Sequence, residues 1–242
     1  MSEPELSVLV PAYNEARTIG GVLTTLQELA YDLEIIVVDD GSGDGTAAIV
    51  TALAEGDPRI TLIAHGRNRG KGAAVRTALG RSAGRVVIIQ DADAEYDPTD
   101  IPRLVDLILD GTADAVYGSR LRGGQPQRAH LFLHYAGNRF LSLITGMLFN
   151  TTLSDMEVGY KAIGGELARS LELVSEDFRI EPELTARILS IPDLRIYEVP
   201  IAYYGRTFAE GKKITWRDGL RAVWALARFR VLTWRESARP PR

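Results

Sequence analysis

The chain has 242 residues, of which 45% are hydrophobic and 25% charged, with a formal net charge of −4. That length accommodates one large domain or two small ones around a sizeable core. The acidic balance argues against nucleic acid as the main partner. The absence of cysteine excludes a disulfide framework, a thiolate nucleophile and cysteine-bound zinc. The start, Met1-Ser2-Glu3-Pro4-Glu5, is acidic and lacks the apolar core of a leader peptide, and the longest apolar run, within Phe140 to Phe149, is too short to cross a bilayer. A cytoplasmic protein is the expectation. Lysine is scarce beside arginine, and alanine and glycine are abundant, as in chains from GC-rich bacterial genomes.

Strands and helices alternate through the first half. Leu6–Val10 reads as a strand, Thr18–Leu29 as an amphipathic helix, Glu34–Val38 as a strand and Thr46–Ala54 as a helix opened by a Gly/Asp turn. Ile60–Ala64 is the next strand, Ala73–Ser82 a helix, Val86–Gln90 a strand, Thr99–Leu109 a helix and Ala115–Tyr117 a strand. This alternation predicts an α/β fold, with a mostly parallel twisted sheet covered by helices on both faces. In the second half, Arg120 to Arg128 reads as a mobile Gly/Arg/Gln loop and His134–Leu148 as a helix. A polar turn at Ser154–Glu157 precedes a short strand near Tyr160–Ile163; Glu181–Ser190 is helical, Arg195–Val199 a strand and Trp216–Trp234 a long helix. Ligands of such sheets bind beyond the C-terminal strand ends. The polar motifs fall there.

Asp91, Asp93 and Glu95 leave the end of one apolar strand together. Three acids this close repel one another, and their hard oxygens suit Mg²⁺ or Mn²⁺; the alternative is a solvated acidic turn. Val38-Asp39-Asp40-Gly41-Ser42-Gly43-Asp44-Gly45-Thr46 ends another strand in two acids and a glycine-rich turn. A helix cap accounts for Asp44 but leaves Asp39 and Asp40 free to accept from a base N–H or a ribose hydroxyl. Gly66 to Gly72 sits between strand and helix, where a P-loop would, but has the wrong glycine spacing and no hydroxyl after Lys71. Lys71 beside a helix N-terminus can still meet a phosphate.

Taken together, Pro11-Ala12-Tyr13-Asn14-Glu15, Val38-Asp39-Asp40-Gly41-Ser42, Gly70-Lys71-Gly72 and Asp91-Ala92-Asp93 resemble family 2 glycosyltransferases of the GT-A fold, in order and spacing. The dolichol-phosphate or polyprenol-phosphate mannose and glucose synthase branch is suggested by Gly118-Ser119-Arg120, Asp155-Met156-Glu157-Val158-Gly159-Tyr160-Lys161 and Ile180-Glu181-Pro182-Glu183-Leu184. The resemblance runs from Leu6 to about Gly219. It implies one GT-A domain over 1–236, with a nucleotide half to about 118, an acceptor half from 119, and a disordered tail at 237–242. Pro11, Ala12, Tyr13, Glu15, Asp39, Asp40, Lys71, Asp91, Ala92 and Asp93 would then contact a UDP- or GDP-hexose. Asp91, Asp93 and Glu95 would hold the metal. Arg120 and Arg139 would meet the acceptor phosphate and donor diphosphate, and Asp155 would sit beside the reacting sugar. Arg139 can equally be a surface charge, and Glu181 a helix cap.

The implied reaction moves a hexose to a polyprenyl phosphate with inversion. A phosphate, with a second pKa near ~6, needs no strong base; a hydroxyl acceptor would need one, Asp155 before Glu157. A soluble hydroxyl acceptor and an inactive nucleotide-sugar-binding module are the rival readings. The loop Gly205 to Ile214 brings Arg206, Lys212 and Lys213 but also Glu210. Aromatic residues Trp216, Trp224, Phe229 and Trp234 among arginines suit peripheral membrane contact, or simple packing on the sheet.

Overall fold

The computed structural model describes residues 3–128, 132–205 and 216–237, excepting the side chains of 133–134, 216–221 and 234–237. The strands are β1 (Leu6–Ala12), β2 (Leu33–Asp39), β3 (Ile60–Ala64), β4 (Val86–Ile89), β5 (Ala115–Ser119), β6 (Lys161–Gly164) and β7 (Ile196–Pro200). The helices are α1 (Ile19–Gln27), α2 (Thr46–Gly56), α3 (Lys71–Leu79), α4 (Ile101–Leu109), α5 (Phe132–Phe149), α6 (Gly165–Ser170), α7 (Ile180–Leu189) and α8 (Trp216–Ser237). One seven-stranded sheet runs β3-β2-β1-β4-β6-β5-β7. Its central strands, such as Val86-Val87-Ile88-Ile89, are apolar along their whole length because helices cover both faces.

The expected alternation holds, with shifted ends. A 3₁₀ turn at Pro98–Asp100 precedes α4, and its Asp97 accepts from Thr99 N at 3.0 Å. The six-residue α6 is too short to show helical periodicity, and the sequence reading misses it. Ser237, read as tail, ends α8; residues 238–242 lie outside the described ones. The segment Arg120 to Arg128, read as mobile, is tied to the sheet edge by a bridge between Gln127 and Tyr203.

The sheet is parallel except at β6, which runs antiparallel to both β4 and β5. The strand therefore starts at the end where β4 and β5 finish, with Lys161 opposite Tyr117. As a result, the 151–160 turn lies along the C-terminal ends of the central strands. Parallel register brings Ala12 beside Asp39 at the same edge.

One apolar cluster runs from Leu6 to Tyr203 and carries most of the core. A second joins Leu141 of α5 and Met156 to Ala222 and Leu226 of α8. A third seats Phe229 of α8 against Ala186 of α7. One face of α8 is thus packed inside the protein, while Trp224 stays exposed under Arg228, whose guanidinium carbon is 5.3 Å from the ring centroid.

At the β6–α6 corner a Cβ on Gly165 would lie 2.0 Å from the Gly84 carbonyl oxygen. The Arg169 guanidinium could swing aside, but the Gly84 backbone cannot move without shifting the corner. Gly165→Ala is expected to cost about 1–3 kcal/mol, read as a lower urea midpoint with an unchanged m-value; a wild-type midpoint would show that the corner can shift.

Candidate active site

The side expected from sequence to take the nucleotide is assembled from the loops after β1, β2 and β3. Asn14, in the left-handed region at φ 56°, accepts from Gly43 N at 2.9 Å, and its own N–H donates to Ser42 Oγ. Asp44 accepts from Ala16 N and from Thr46 Oγ1 and N. The two loops are thereby locked together. A Cβ on Gly41, at φ 77°, would strike the Arg67 backbone at 2.6 Å, so the third loop can approach only a glycine. Tyr13 stands exposed at the rim, and Glu15 is half-buried, its N–H donating to Thr46 Oγ1.

The two strand-end acids differ. Asp39 is 4% exposed and its Oδ1 is buried without a partner. That oxygen is an acceptor lacking a donor, as the nucleotide reading of Asp39 requires. Asp40, read from sequence as a second nucleotide contact, has its oxygens engaged within the protein. It accepts from Arg69 N and Gly70 N and lies 2.6 Å from His65 Nδ1. The structure makes it the anchor of the loop that leads to Lys71.

Lys71 opens α3 after Gly70, whose φ of 97° and 2.5 Å approach to Glu176 O exclude a side chain. Its Nζ is 2.7 Å from Asp91 Oδ1 and 2.9 Å from Glu181 Oε1. Glu181 also meets Lys161 Nζ at 2.5 Å, so it is a site residue and not a helix cap. Burial pulls the Lys71 ammonium down, but Asp91 and Glu181 outweigh it and hold it above its ordinary value. Burial likewise raises Asp91; Lys71 opposes this and Asp93 adds to it. A Cβ on Gly159 would sit 2.8 Å from Asp91 Oδ2, which explains the glycine there.

The three acids of the expected metal site do not converge. Ala94 takes a left-handed φ of 57°, Asp93 Oδ1 accepts from Glu95 N, and Glu95 Oε2 accepts from Tyr203 Oη at 2.6 Å. The turn points Glu95 toward Tyr203 and away from Asp91. Among the described residues no three acids or histidines are placed to hold a metal ion. Asp91 and Asp93 instead fit a cation that takes one or two carboxylates and its remaining oxygens from a substrate diphosphate.

On the side expected from sequence to take the acceptor, Arg120 follows β5 and grips Asp155. Its Nε and Nη2 each donate at 2.7 Å, and its backbone N–H at 2.9 Å. Asn138 of α5 donates to the same carboxylate at 2.7 Å. Burial alone would raise Asp155; the Arg120 charge and hydrogen bonds reverse that and hold it below the usual aspartate range. Asp155 is fully buried and its lone pairs are occupied, so its first role is to orient Arg120. The sequence reading ranks it ahead of Glu157 as a base; both of its oxygens already accept hydrogen bonds here. Arg139, next to Asn138, is exposed on an open groove of ≈ 670 Å³ with Phe140, Leu143, Met147 and Ser154. It is not brought to Asp91 or Asp155. Arg206, Glu210, Lys212 and Lys213 lie outside the described residues.

Sequence reasoning missed Asn138, Tyr203 and Glu198. Glu198 of β7 accepts from Ser154 N and Oγ and from Asp155 N, setting the turn. Nothing local in the sequence marks these three, because their partners are 17 to 108 residues away.

A mostly parallel sheet with acids, a lysine and an arginine at its C-terminal edge defines a nucleotide-diphospho-sugar transferase of the GT-A fold. Residues 7–151 match glycosyl transferase family 2, and the chain belongs to that family. It is 28% identical over 92% of its length, and 97% of the relative's, to the undecaprenyl-phosphate mannosyltransferase of Micrococcus luteus. It is 30% identical to the UDP-N-acetylglucosamine–dolichyl-phosphate N-acetylglucosaminyltransferase of Methanococcus voltae, covering 83% of this chain and 86% of the relative. Glucosyl-3-phosphoglycerate synthase of Mycobacterium tuberculosis, solved with Mn²⁺, UDP and glucosyl-3-phosphoglycerate, superposes with a TM-score of 0.71 at 22% identity, over 94% of this chain and 80% of that one.

Asp155→Asn would leave Arg120 buried without its counter-charge, at a cost of about 3–5 kcal/mol. The depressed Asp155 pKa contributes stability above the unfolded aspartate value, and that contribution is lost as pH falls through the folded value. Urea unfolding at neutral pH and in acid should therefore show the gap between wild type and Asp155→Asn closing in acid. A variant as stable as wild type at neutral pH would contradict the buried pair.

Proposed function

We propose that this glycosyltransferase moves a hexose, mannose or glucose, from UDP or GDP to a polyprenyl phosphate, with inversion, at the cytoplasmic face of a membrane. The observation that carries the donor half is Lys71, held at the C-terminal edge of the sheet between Asp91 and Glu181. A diphosphate leaves only if its growing charge is stabilised. Lys71 stands where it can exchange Asp91 for a phosphate oxygen. Asp39 Oδ1 would accept from the base or ribose, with Pro11, Ala12, Tyr13 and Glu15 forming the adjoining wall. Asp91 and Asp93 would hold Mg²⁺ or Mn²⁺, which when bound supplies Lewis-acid charge at the leaving group.

The acceptor half is supported by the named relatives, two of which act on lipid-linked phosphates by their descriptions. The surface agrees. Phe140, Leu143 and Met147 of α5 are 54%, 60% and 75% exposed and line the groove together with Arg139 and Ser154. An apolar rim beside Arg139 and near Arg120 suits an amphiphile with an anionic head. No described helix is long and apolar enough to cross a membrane, so the protein would meet the lipid from the surface.

A screen of UDP- and GDP-sugars with Mn²⁺ or Mg²⁺, with and without polyprenyl phosphate, tests this reading. Expected are one preferred donor, transfer that EDTA stops, and loss of transfer of at least 10²-fold in Asp93→Ala without loss of stability. Full activity in EDTA removes the metal; preference for a neutral soluble hydroxyl acceptor removes the lipid phosphate.

A further inference from the structure

We infer that Glu157 is the group that takes the acceptor's proton during transfer. It stands on the turn that carries Asp155, half-buried, with its Oε1 enclosed and without a hydrogen-bond partner. The neighbouring acids are all engaged. Asp155 is held by Arg120 and Asn138, Glu181 by Lys71 and Lys161, Asp91 by Lys71, and Glu95 by Tyr203. The charges that face Glu157 are Lys161 of β6, Glu181 of α7, Arg120 after β5 and Asp155 beside it. Both cations already serve other carboxylates, Lys161 with Glu181 and Arg120 with Asp155. Glu157 is left as a carboxyl between two satisfied ion pairs, one of which, Arg120–Asp155, adjoins Ser154 at the end of the groove.

Burial pushes Glu157 up to about 7; Lys161 opposes this and Glu181 reinforces it. A base that titrates near the working pH combines an available lone pair with enough basicity to hold a proton. Asp155, held ionised and bound on both oxygens, has neither advantage.

The inference rests on reading this cleft as a glycosyl-transfer site. A phosphate monoester has a second pKa of about 6, so at and below neutrality part of the acceptor arrives as the monoanion, still carrying a proton. In the step, the phosphate O–H proton passes to the ionised Glu157 carboxylate. The freed oxygen forms a bond to the anomeric carbon. The bond from that carbon to the diphosphate oxygen breaks, and its electron pair leaves with the nucleoside diphosphate.

The test is kcat/KM against pH for wild type and Glu157→Gln, with UDP and GDP affinity measured by calorimetry. Wild type should show a limb rising with pH through neutrality. Glu157→Gln should lose the limb and at least about 10² in kcat, with nucleotide Kd unchanged, which also shows that the variant folds. Glu157→Ala should regain activity with added formate. Wild-type kcat with the limb intact in Glu157→Gln would overturn the assignment. Donor hydrolysis without acceptor uses the same group with water as nucleophile. Hydrolysis that depends on Glu157 while no polyprenyl phosphate is glycosylated leaves this inference standing and removes the lipid acceptor.

Discussion

The structure depends on a line of alternating charge, half-buried at Asp91 and Lys71 and buried at Glu181 and Lys161. These residues come from the end of β4, the start of α3, the first turn of α7 and the start of β6. An unpaired buried charge costs several kcal/mol, so each residue fixes its neighbours and the line braces four elements at the sheet's functional edge. Lys161 is fully buried, donates to the Val158 carbonyl and lies 5.6 Å from the Tyr117 ring centroid, which extends the brace to β5. An ammonium inside the line, Lys71, is the one that the proposed function sets against a leaving diphosphate. Under that proposal, stability and chemistry would draw on one set of charges.

Between the donor and acceptor sides lies an aromatic wall. Tyr96 stacks on Tyr160 at 4.9 Å and tilts against Tyr203 at 5.4 Å. Arg120 lies over the Tyr203 ring at 5.1 Å. The Tyr96 hydroxyl accepts from Gly159 N and Tyr160 donates to Gln90, so the wall is bonded to both the Asp-x-Asp strand and the acceptor turn. Apolar faces with satisfied hydroxyls give a rigid partition of lowered dielectric. There the Arg120–Asp155 pair keeps its geometry, and a carboxyl without a partner, such as Glu157, favours its protonated form.

The first half of the fold was legible because local signals agreed with the tertiary outcome. Val/Ile runs, ten-residue amphipathic helices and Gly/Asp turns alternate at the spacing of parallel units, and the strand-end motifs fell at the edge where such sheets bind ligands. The resemblance carried by Pro11 to Glu15, Asp39 to Ser42 and Asp91 to Asp93 led to the family. What the sequence concealed was pairing at a distance. Nothing near Asp40 shows that the Gly70 loop will fold onto it, and nothing near Glu95 announces Tyr203. An Asp-x-Asp-x-Glu spacing looks like three ligands until a left-handed alanine turns the third away. Charge in the acceptor half was visible only as an excess of arginine; which arginine faces inward was decided by Asp155 and Asn138.

The reversal of β6 has a consequence for how such a chain can vary. Gly118 N donates to Tyr160 O at 2.9 Å, so the segment that contains Arg120, α5 and the acceptor turn leaves and rejoins the sheet at adjacent positions. A loop whose ends already meet can lengthen at little entropic cost, because closure depends only logarithmically on length. Strand order and the donor edge need not change when it does. Under the proposed function the segment would be a cassette in a fixed frame: rewriting 120–160 would change the acceptor surface and leave the nucleotide side as it is.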